Sequence, residues 1–433
     1  MRKKHFLFAS VLALLCGSST LHAQDFKLTS SGYFKNQGVD VMAFDDIYPE
    51  GHQGGVCIIM NGHRVATNGD IRLEATPGQW QPVPKQLDRK LGDNSITATL
   101  CYPDSSRHLT GFNPMIYPDL HLIYTVNVES KGKNIEVTVD LDRPIPQEFI
   151  GKVGFNLEFF PGSLFGKPWI MDGQSGIFPQ QPNSPLMTTQ PNYLHTGNYH
   201  DGKKSLADMN KLIGKGYSPI VADDIISEPY AKGTKFTSRP DDPYNKVTIE
   251  SLSGDLQLFD GRMNHNNGWF VLRSNIKPGV TKGAVKWIIT PNVVADWMYQ
   301  PVIQTSQIGY HPTQDKEAVI EMDIRDNRKE TAQIIRIDAD GEKVVKNVTP
   351  ANWGKFLRYN YLKVNFTDVK EPGLYKIKYN TSVSPIFRID NDVYARGVWQ
   401  PVLEYFLPVQ MCHMRVNEKY RVWHDCCHMD DAQ

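Results

Sequence analysis

Thiols and imidazoles crowd one short stretch near the C-terminal end of this 433-residue chain. Cys412-His413 is followed by Trp423-His424-Asp425-Cys426-Cys427-His428. Cysteine sulfur and histidine nitrogen are the donors that tetrahedral zinc takes. Cys412, Cys427 and His428 form the candidate metal set, and Cys426 and His413 beside them leave the register open by one residue. Three such ligands hold zinc less firmly than four and leave a position open. A bridge between the adjacent Cys426 and Cys427 would be strained. Inert loop thiols, or disulfides to distant partners, remain the structural alternative. His424-Asp425 has the makings of a triad pair but no nucleophile motif beside it. Asp45-Asp46, Asp223-Asp224 and Asp241-Asp242 lack the spacing of a calcium loop and read as turns. The run Asn264-His265-Asn266-Asn267-Gly268 reads as a turn first and a sugar contact second. Gly51 to Gly55 lacks the strand-to-helix setting of a phosphate loop. No residue of the chain is assigned to catalysis, and no substrate-binding residue is assigned.

The elements that would position these groups are mostly strands. Lys plus Arg equals Asp plus Glu at 47 each, so no global basic field gathers nucleic acid or anionic membrane. Arg2, Lys3 and Lys4 precede an apolar run from Phe6 to Leu15 that is too short to span a bilayer. Small and polar residues follow to Ala23, the pattern of a cleaved export signal over residues 1–23. Leu15 before Cys16 argues against a lipid anchor. Export to the periplasm, the cell surface or the medium is expected, with no membrane span. Cys57 and Cys101 would meet an oxidising compartment there, as a disulfide or as two buried thiols.

The fold class is mainly β. A large β-sandwich of the supersandwich type is expected over residues 24–300, comparable with the galactose-mutarotase-like fold. Within it Leu122, Tyr124, Val126 and Val128 alternate, as does Ile135 to Leu141, with a hairpin turn at Lys131-Gly132-Lys133-Asn134. Strands are also predicted at 247–252, 255–259, 269–273 and 285–289. Residues 155–199 read as irregular and carry Phe159, Phe160, Phe165, Trp169, Phe178, Tyr193 and Tyr199. Those rings either cap the sandwich or offer sugars a stacking platform, and the cap is the simpler reading. Ser205 and Asp208 would cap a short helix ending at Gly214. Pro301 opens an immunoglobulin-like sandwich over 301–390, with about seven strands predicted between Val302 and Ile389. After Asp390, the residues Val398, Val402, Phe406 and Val409 fall on a helical stripe, with Pro401 suited to its first turn.

Ser306-Gln307-Ile308-Gly309-Tyr310-His311-Pro312, with Lys316 and Ala318-Val319-Ile320, resembles the opening of the immunoglobulin-like domain of glycoside hydrolase family 9 cellulases. Glu371-Pro372-Gly373-Leu374-Tyr375 and Ser384-Pro385-Ile386-Phe387-Arg388-Ile389 resemble its later strands. Tyr394 through Cys412 and Trp423 to Ala432 are similar to the first helix and following loop of that family's (α/α)6 toroid, so residues 391–433 read as its incomplete start. The resemblance covers 301–433 and leaves 25–300 unexplained. It implies hydrolysis of β-1,4-glucan with inversion, an acid and a base standing about 6.5–9.5 Å apart. Both would lie beyond Gln433. It also implies that Cys412, Cys427 and His428 are three of four ligands of a structural zinc in the intact parent, with no cofactor needed for the chemistry. The partner implied is a β-glucan polysaccharide or oligosaccharide.

The leading expectation is therefore the N-terminal part of a secreted cellulase-type hydrolase. The rival is a non-catalytic secreted carbohydrate-binding or scaffold protein of two sandwiches, for which Trp169 would be a binding ring. Purified 1–433 is expected to release no reducing sugar from soluble β-glucan in a reducing-end assay, and measurable release would overturn the expectation.

Overall fold

A computed structural model describes residues 25–45, 55–74, 76–77, 84–102, 120–182, 186–187, 226–263, 268–395 and 397–403. The chain divides into two units, Met1–Trp297 and Met298–Gln433. In the first unit one sheet runs in the order β1 (Lys27–Leu28), β2 (Phe34–Asn36), β3 (Val39–Ala43), β4 (Val56–Met60), β5 (His63–Leu73), β10 (Val153–Phe159), β19 (Phe270–Asn275), β18 (Leu256–Asp260) and β15 (Ala231–Gly233). The second runs β12 (Gln174–Ile177), β11 (Pro168–Met171), β16 (Lys235–Ser238), β17 (Val247–Ser251), β20 (Val285–Pro291), β9 (Asn134–Leu141), β8 (Leu122–Lys131), β7 (Ser95–Tyr102) and β6 (Lys85–Leu91). A two-strand ribbon pairs β13 (Leu186–Met187) with β14 (Ile226–Ser227). The strand pairs of both large sheets are antiparallel, so hairpins and period-2 burial carry the architecture.

The alternation read from the sequence is the burial pattern observed. Leu122, Tyr124, Val126 and Val128 on β8 are buried, as are Ile135, Val137 and Val139 on β9, and Gly132 turns the hairpin with φ at +65°. The inner faces meet through rings. Phe155 on β10 stands edge-on to Trp287 on β20 at 5.0 Å, and Phe159 to Phe236 on β16 at 5.8 Å. Trp287 is fully buried, and its indole N–H donates to Ser274 Oγ at 3.0 Å.

Residues 155–199 depart from the expected irregular stretch. Phe155 to Phe159 belong to central strand β10, and 168–171 and 174–177 form the β11–β12 hairpin. Of the Pro and Gly that suggested a loop, Pro161, Gly162 and Gly166 precede the hairpin and Gly173 sits in its turn, while Pro168 opens β11 and Gly176 lies within β12. Phe159, Trp169 and Phe178 are buried and Phe165 packs against the core, so the described part of the segment closes the sandwich. Trp169 at 7% exposure offers no open face to a sugar. The Arg262 guanidinium holds this segment down. It lies over Phe270 at 4.6 Å and Phe165 at 5.0 Å, and donates to the carbonyls of Pro179 and Gln180. Tyr193, Tyr199 and the capped helix expected at 205–214 lie outside the described residues. Cys57 is on β4 and Cys101 on β7, in different sheets, with no disulfide between them.

The second unit is an immunoglobulin-like sandwich. One sheet has the order β21 (Val302–Gln304), β22 (Glu317–Asp323), β26 (Tyr359–Asn365), β25 (Ala351–Phe356). The other holds β24 (Gly341–Val348), β23 (Ala332–Asp338), β27 (Gly373–Tyr379) and β28 (Ser382–Val383), with β29 (Phe387–Ile389) also paired to β27. Ile320, Ile334, Leu362, Val364, Ile377 and Ile389 lie in its core. The first strand is shorter than the predicted 302–308 because residues 305–311 turn to reach the last strand. Tyr310 N–H donates to Arg388 O at 2.8 Å, and Asp390 N–H returns to Tyr310 O at 3.1 Å. The Tyr310 ring packs edge-on against Phe366 and Phe387, while its hydroxyl accepts from Ser306 N–H and donates to Glu317 O. Beside it the Lys316 ammonium is buried and donates to the carbonyls of Pro312 at 2.8 Å and Gln314 at 3.0 Å. Burial lowers its pKa. The motif quoted from the sequence is thus the clasp between the ends of the sandwich. Helix begins at residues 400–403, where Leu403 N–H bonds to Trp399 O, with Pro401 in the first turn as expected.

Gly309 has φ at +103°, and a Cβ there would meet Arg388 O at 2.3 Å. Gly309→Ala is expected to lower the unit's stability by roughly 1–3 kcal/mol in denaturant unfolding.

Candidate functional site

A cluster of buried charge in the first unit crosses three adjacent strands, and elsewhere in the unit the fully buried Asp260 pairs with Arg262 at 2.8 Å. Register sets Asn156 on β10 opposite both Asp70 on β5 and Arg273 on β19. Arg273 is 1% exposed. Its Nη1 donates to Glu74 Oε1 at 3.3 Å and Asn156 Oδ1 at 3.1 Å, Nη2 to Glu74 O at 2.9 Å, and Nε to Asn275 Oδ1 at 2.7 Å. Asn156 Nδ2 donates to Glu74 Oε1 at 2.6 Å. Gly154 is what lets the guanidinium cross the strand, because a Cβ there would stand 2.8 Å from Arg273 Nε. Asn68 Nδ2 donates to Glu158 Oε2 at 2.6 Å at the neighbouring position.

Desolvation dominates the acids of this network. Glu74 is pushed up to about 7, burial outweighing the attraction of Arg273 and Arg72. Asp70 is pushed up to about 6 by burial, against Arg72, the Ile71 amide and the Tyr124 hydroxyl. Its Oδ1 accepts from Tyr124 Oη at 2.9 Å. Its Oδ2 accepts no hydrogen bond among the described residues and sits 3.8 Å from Arg72 Nη1. Two acids titrating near neutrality invite an acid–base reading, but Glu74 is closed over by Arg273 and Asn156 and both acids are 1% exposed. The network is a structural tie between strands.

The open constellation is on the second unit, on the outer face of the sheet β21-β22-β26-β25. Strand β26 buries Asn360, Leu362 and Val364 and turns Tyr359, Tyr361 and Lys363 outward. Register sets Tyr361 beside Glu321 on β22 and Gly354 on β25, and Tyr359 beside Asp323 and Phe356. A bulge between Asn352 and Gly354, with Gly354 at φ +123°, puts Trp353 at this point of the edge strand. Trp353 stands edge-on to Tyr361 with centroids 5.5 Å apart. Tyr361 lies 6.1 Å from Tyr359, and Tyr359 5.0 Å from Tyr299. Glu321 ties the row together, its carboxylate accepting from Tyr299 Oη at 2.9 Å and Tyr361 Oη at 3.2 Å. Burial and that carboxylate raise the pKa of both tyrosines. Lys363 and Glu317 pair alongside at 2.9 Å. Trp353 and Phe356 are each 56% exposed.

None of these residues stood out in the sequence. The one available signal was Tyr359-Asn360-Tyr361-Leu362-Lys363, whose alternation turns two rings and an amine to one side. Strand β25 was missed because every residue of it is exposed or half-exposed, so it has no hydrophobic period. The candidate zinc ligands Cys412, Cys427 and His428 lie outside the described residues, as do His424-Asp425, Asp46, Asp223-Asp224 and the run 264–267. Among the described residues no group of three or more His, Cys, Asp or Glu could hold a metal ion. Asp242 is a turn residue, accepting from Tyr244 N–H at 2.8 Å, Asn245 Nδ2 at 3.0 Å and the Arg239 guanidinium. No helix among the described residues is long and apolar enough to cross a membrane.

The chain is thus a mainly β protein, and the strands of its immunoglobulin-like sandwich run from Val302 to Ile389. Residues 298–384 match the family model described as the cellulase N-terminal ig-like domain. A Bacteroides ovatus GH9 structure is similar at 26% identity with a TM-score of 0.18, covering 22% of this chain and 16% of that one. The Slr1438 protein from Synechocystis sp. PCC 6803 is similar at 9% identity and TM-score 0.29, covering 67% of this chain and 100% of that one. HI1317 follows at 7% and 0.24, covering 62% and 98%. These superpositions are loose and define no function for the first unit. No curated protein matches.

Since both buried acids bind protons more tightly folded than unfolded, their contribution is complete below about pH 4 and lost as pH rises through about 6 to 7. Asp70→Asn and Glu74→Gln are each expected to flatten that fall in unfolding free energy when compared with the unaltered chain. Arg273→Met, which strands Glu74, is expected to cost about 3–5 kcal/mol in the same titration.

Proposed function

We propose that this chain is the N-terminal part of an exported cellulase-type glycoside hydrolase acting on β-1,4-glucan with inversion. The observation that carries the reading is the match of residues 298–384 to the cellulase N-terminal ig-like domain. The knitted ends of that sandwich and the helix starting at residues 400–403 support it. The resemblance places the acid and base in the family's catalytic domain, and no described residue is assigned to either role. In this reading Cys412, Cys427 and His428 contribute to a structural zinc, and residues 1–23 direct export. The immunoglobulin-like unit braces the catalytic domain.

The natural gene product, incubated with a soluble β-1,4-glucan and followed by reducing-end release and proton NMR, is expected to release sugars whose first-formed anomer is α. Initial β product would sink inversion, and no release would sink the hydrolase reading. Zinc measured by plasma emission on the same protein should fall when Cys427 is changed to Ser.

A further inference from the structure

We propose that the outer face of the sheet β21-β22-β26-β25 binds a single chain of an uncharged β-1,4-linked polysaccharide along the row Trp353, Tyr361, Tyr359, Tyr299. The inference deepens the proposed function and rests on its polysaccharide context, naming a surface for the partner.

Three observations carry it. First, the face is a row of rings rather than a continuous apolar patch. Centroid steps of 5.5, 6.1 and 5.0 Å succeed one another across β25, β26 and the segment before β21. A pyranose chain repeats on a comparable length and offers C–H faces for aromatic contact. Second, hydrogen-bonding groups interleave with the rings: the Glu321 carboxylate between two tyrosine hydroxyls, and Lys363 beside Glu317. Sugar hydroxyls are matched by that alternation, and Glu321 fixes two of the rings before any ligand arrives. Third, the face carries little bare charge of the sign a polyanion needs. Lys363 is paired with Glu317, and the Glu321 carboxylate keeps its negative charge while accepting from two phenols, so the face suits a neutral polymer rather than a polyanion. The bulge at Trp353 adds the most exposed ring of the row, on a strand whose other edge is unpaired among the described residues.

The test is affinity electrophoresis of the full chain in native gels. The gels contain hydroxyethyl cellulose, galactomannan or the polyanion alginate, and circular dichroism confirms the fold of each variant. Retardation by hydroxyethyl cellulose is expected, with affinity reduced roughly tenfold by Trp353→Ala. Tyr361→Phe, which keeps the ring and loses its bond to Glu321, should reduce it less. Leu374→Ala, an exposed apolar change on the other sheet, should leave it unchanged. Retardation by galactomannan alone, lost in Trp353→Ala, would support this surface and count against the glucan assignment above. Retardation by no neutral polymer, retardation by alginate alone, or equal retardation of Trp353→Ala and the unaltered chain would overturn the proposal.

Discussion

A guanidinium with no access to water has to find a partner for every donor it cannot leave bare, and Arg273 does so by lying across a glycine. The side chain reaches Glu74, Asn156 and Asn275 only because Gly154 presents no Cβ between them. That crossing ties β5, β10 and β19, the middle of the first sheet, together from the face opposite the hydrophobic core. Partners within this network are expensive to separate, because removing one leaves a charge or an orphaned polar atom in a medium that cannot solvate it. The inner face of the same strands, with Phe155 against Trp287, supplies non-directional burial. The network adds register, since Asn156 can serve both Glu74 and Arg273 only in one alignment.

The second unit solves a different problem, that of joining its ends. Its first strand is short and its last strand is on the other sheet, so the chain between them must bridge two layers. Tyr310 does so with backbone bonds to Arg388 and Asp390, a ring in the core and a hydroxyl shared between Ser306 and Glu317. Lys316 satisfies carbonyls that the tight turn would otherwise strand. Gly309 allows the backbones to approach closely. Gly309, Tyr310 and Lys316 of the motif therefore each answer a packing demand. The match of residues 298–384 to the cellulase N-terminal ig-like domain spans the Gly309, Tyr310 and Lys316 side of this clasp. What this unit leaves exposed is the opposite, outer face, where aromatic rings and one shared carboxylate are presented together.

Much of the fold was legible in the amino-acid order because period-2 burial is a local property. Leu122 to Val128, Ile135 to Leu141 and the Gly132 turn could be placed without knowing what they pack against. The same logic failed where burial is not alternating. Strand β10 is buried on both sides, with Phe155 facing the core and Asn156 facing the charged network, so its letters read as a loop beside the Pro and Gly that follow. Strand β25 is exposed throughout and carries no period at all. For the rings of 155–199 the sequence favoured a cap and left a sugar platform open, and the hairpin that carries Trp169 buries the ring as a cap does.

By itself the sequence determined the mainly β class, the second sandwich and its motif, since hydrophobic period and turn chemistry act over a few residues. Only tertiary structure decided which polar residues meet. Glu74 and Arg273 are 199 positions apart, and Glu321 and Tyr361 are 40 apart. Such pairs are made by strand order and register, which fix distance in space without leaving any mark at fixed spacing along the chain.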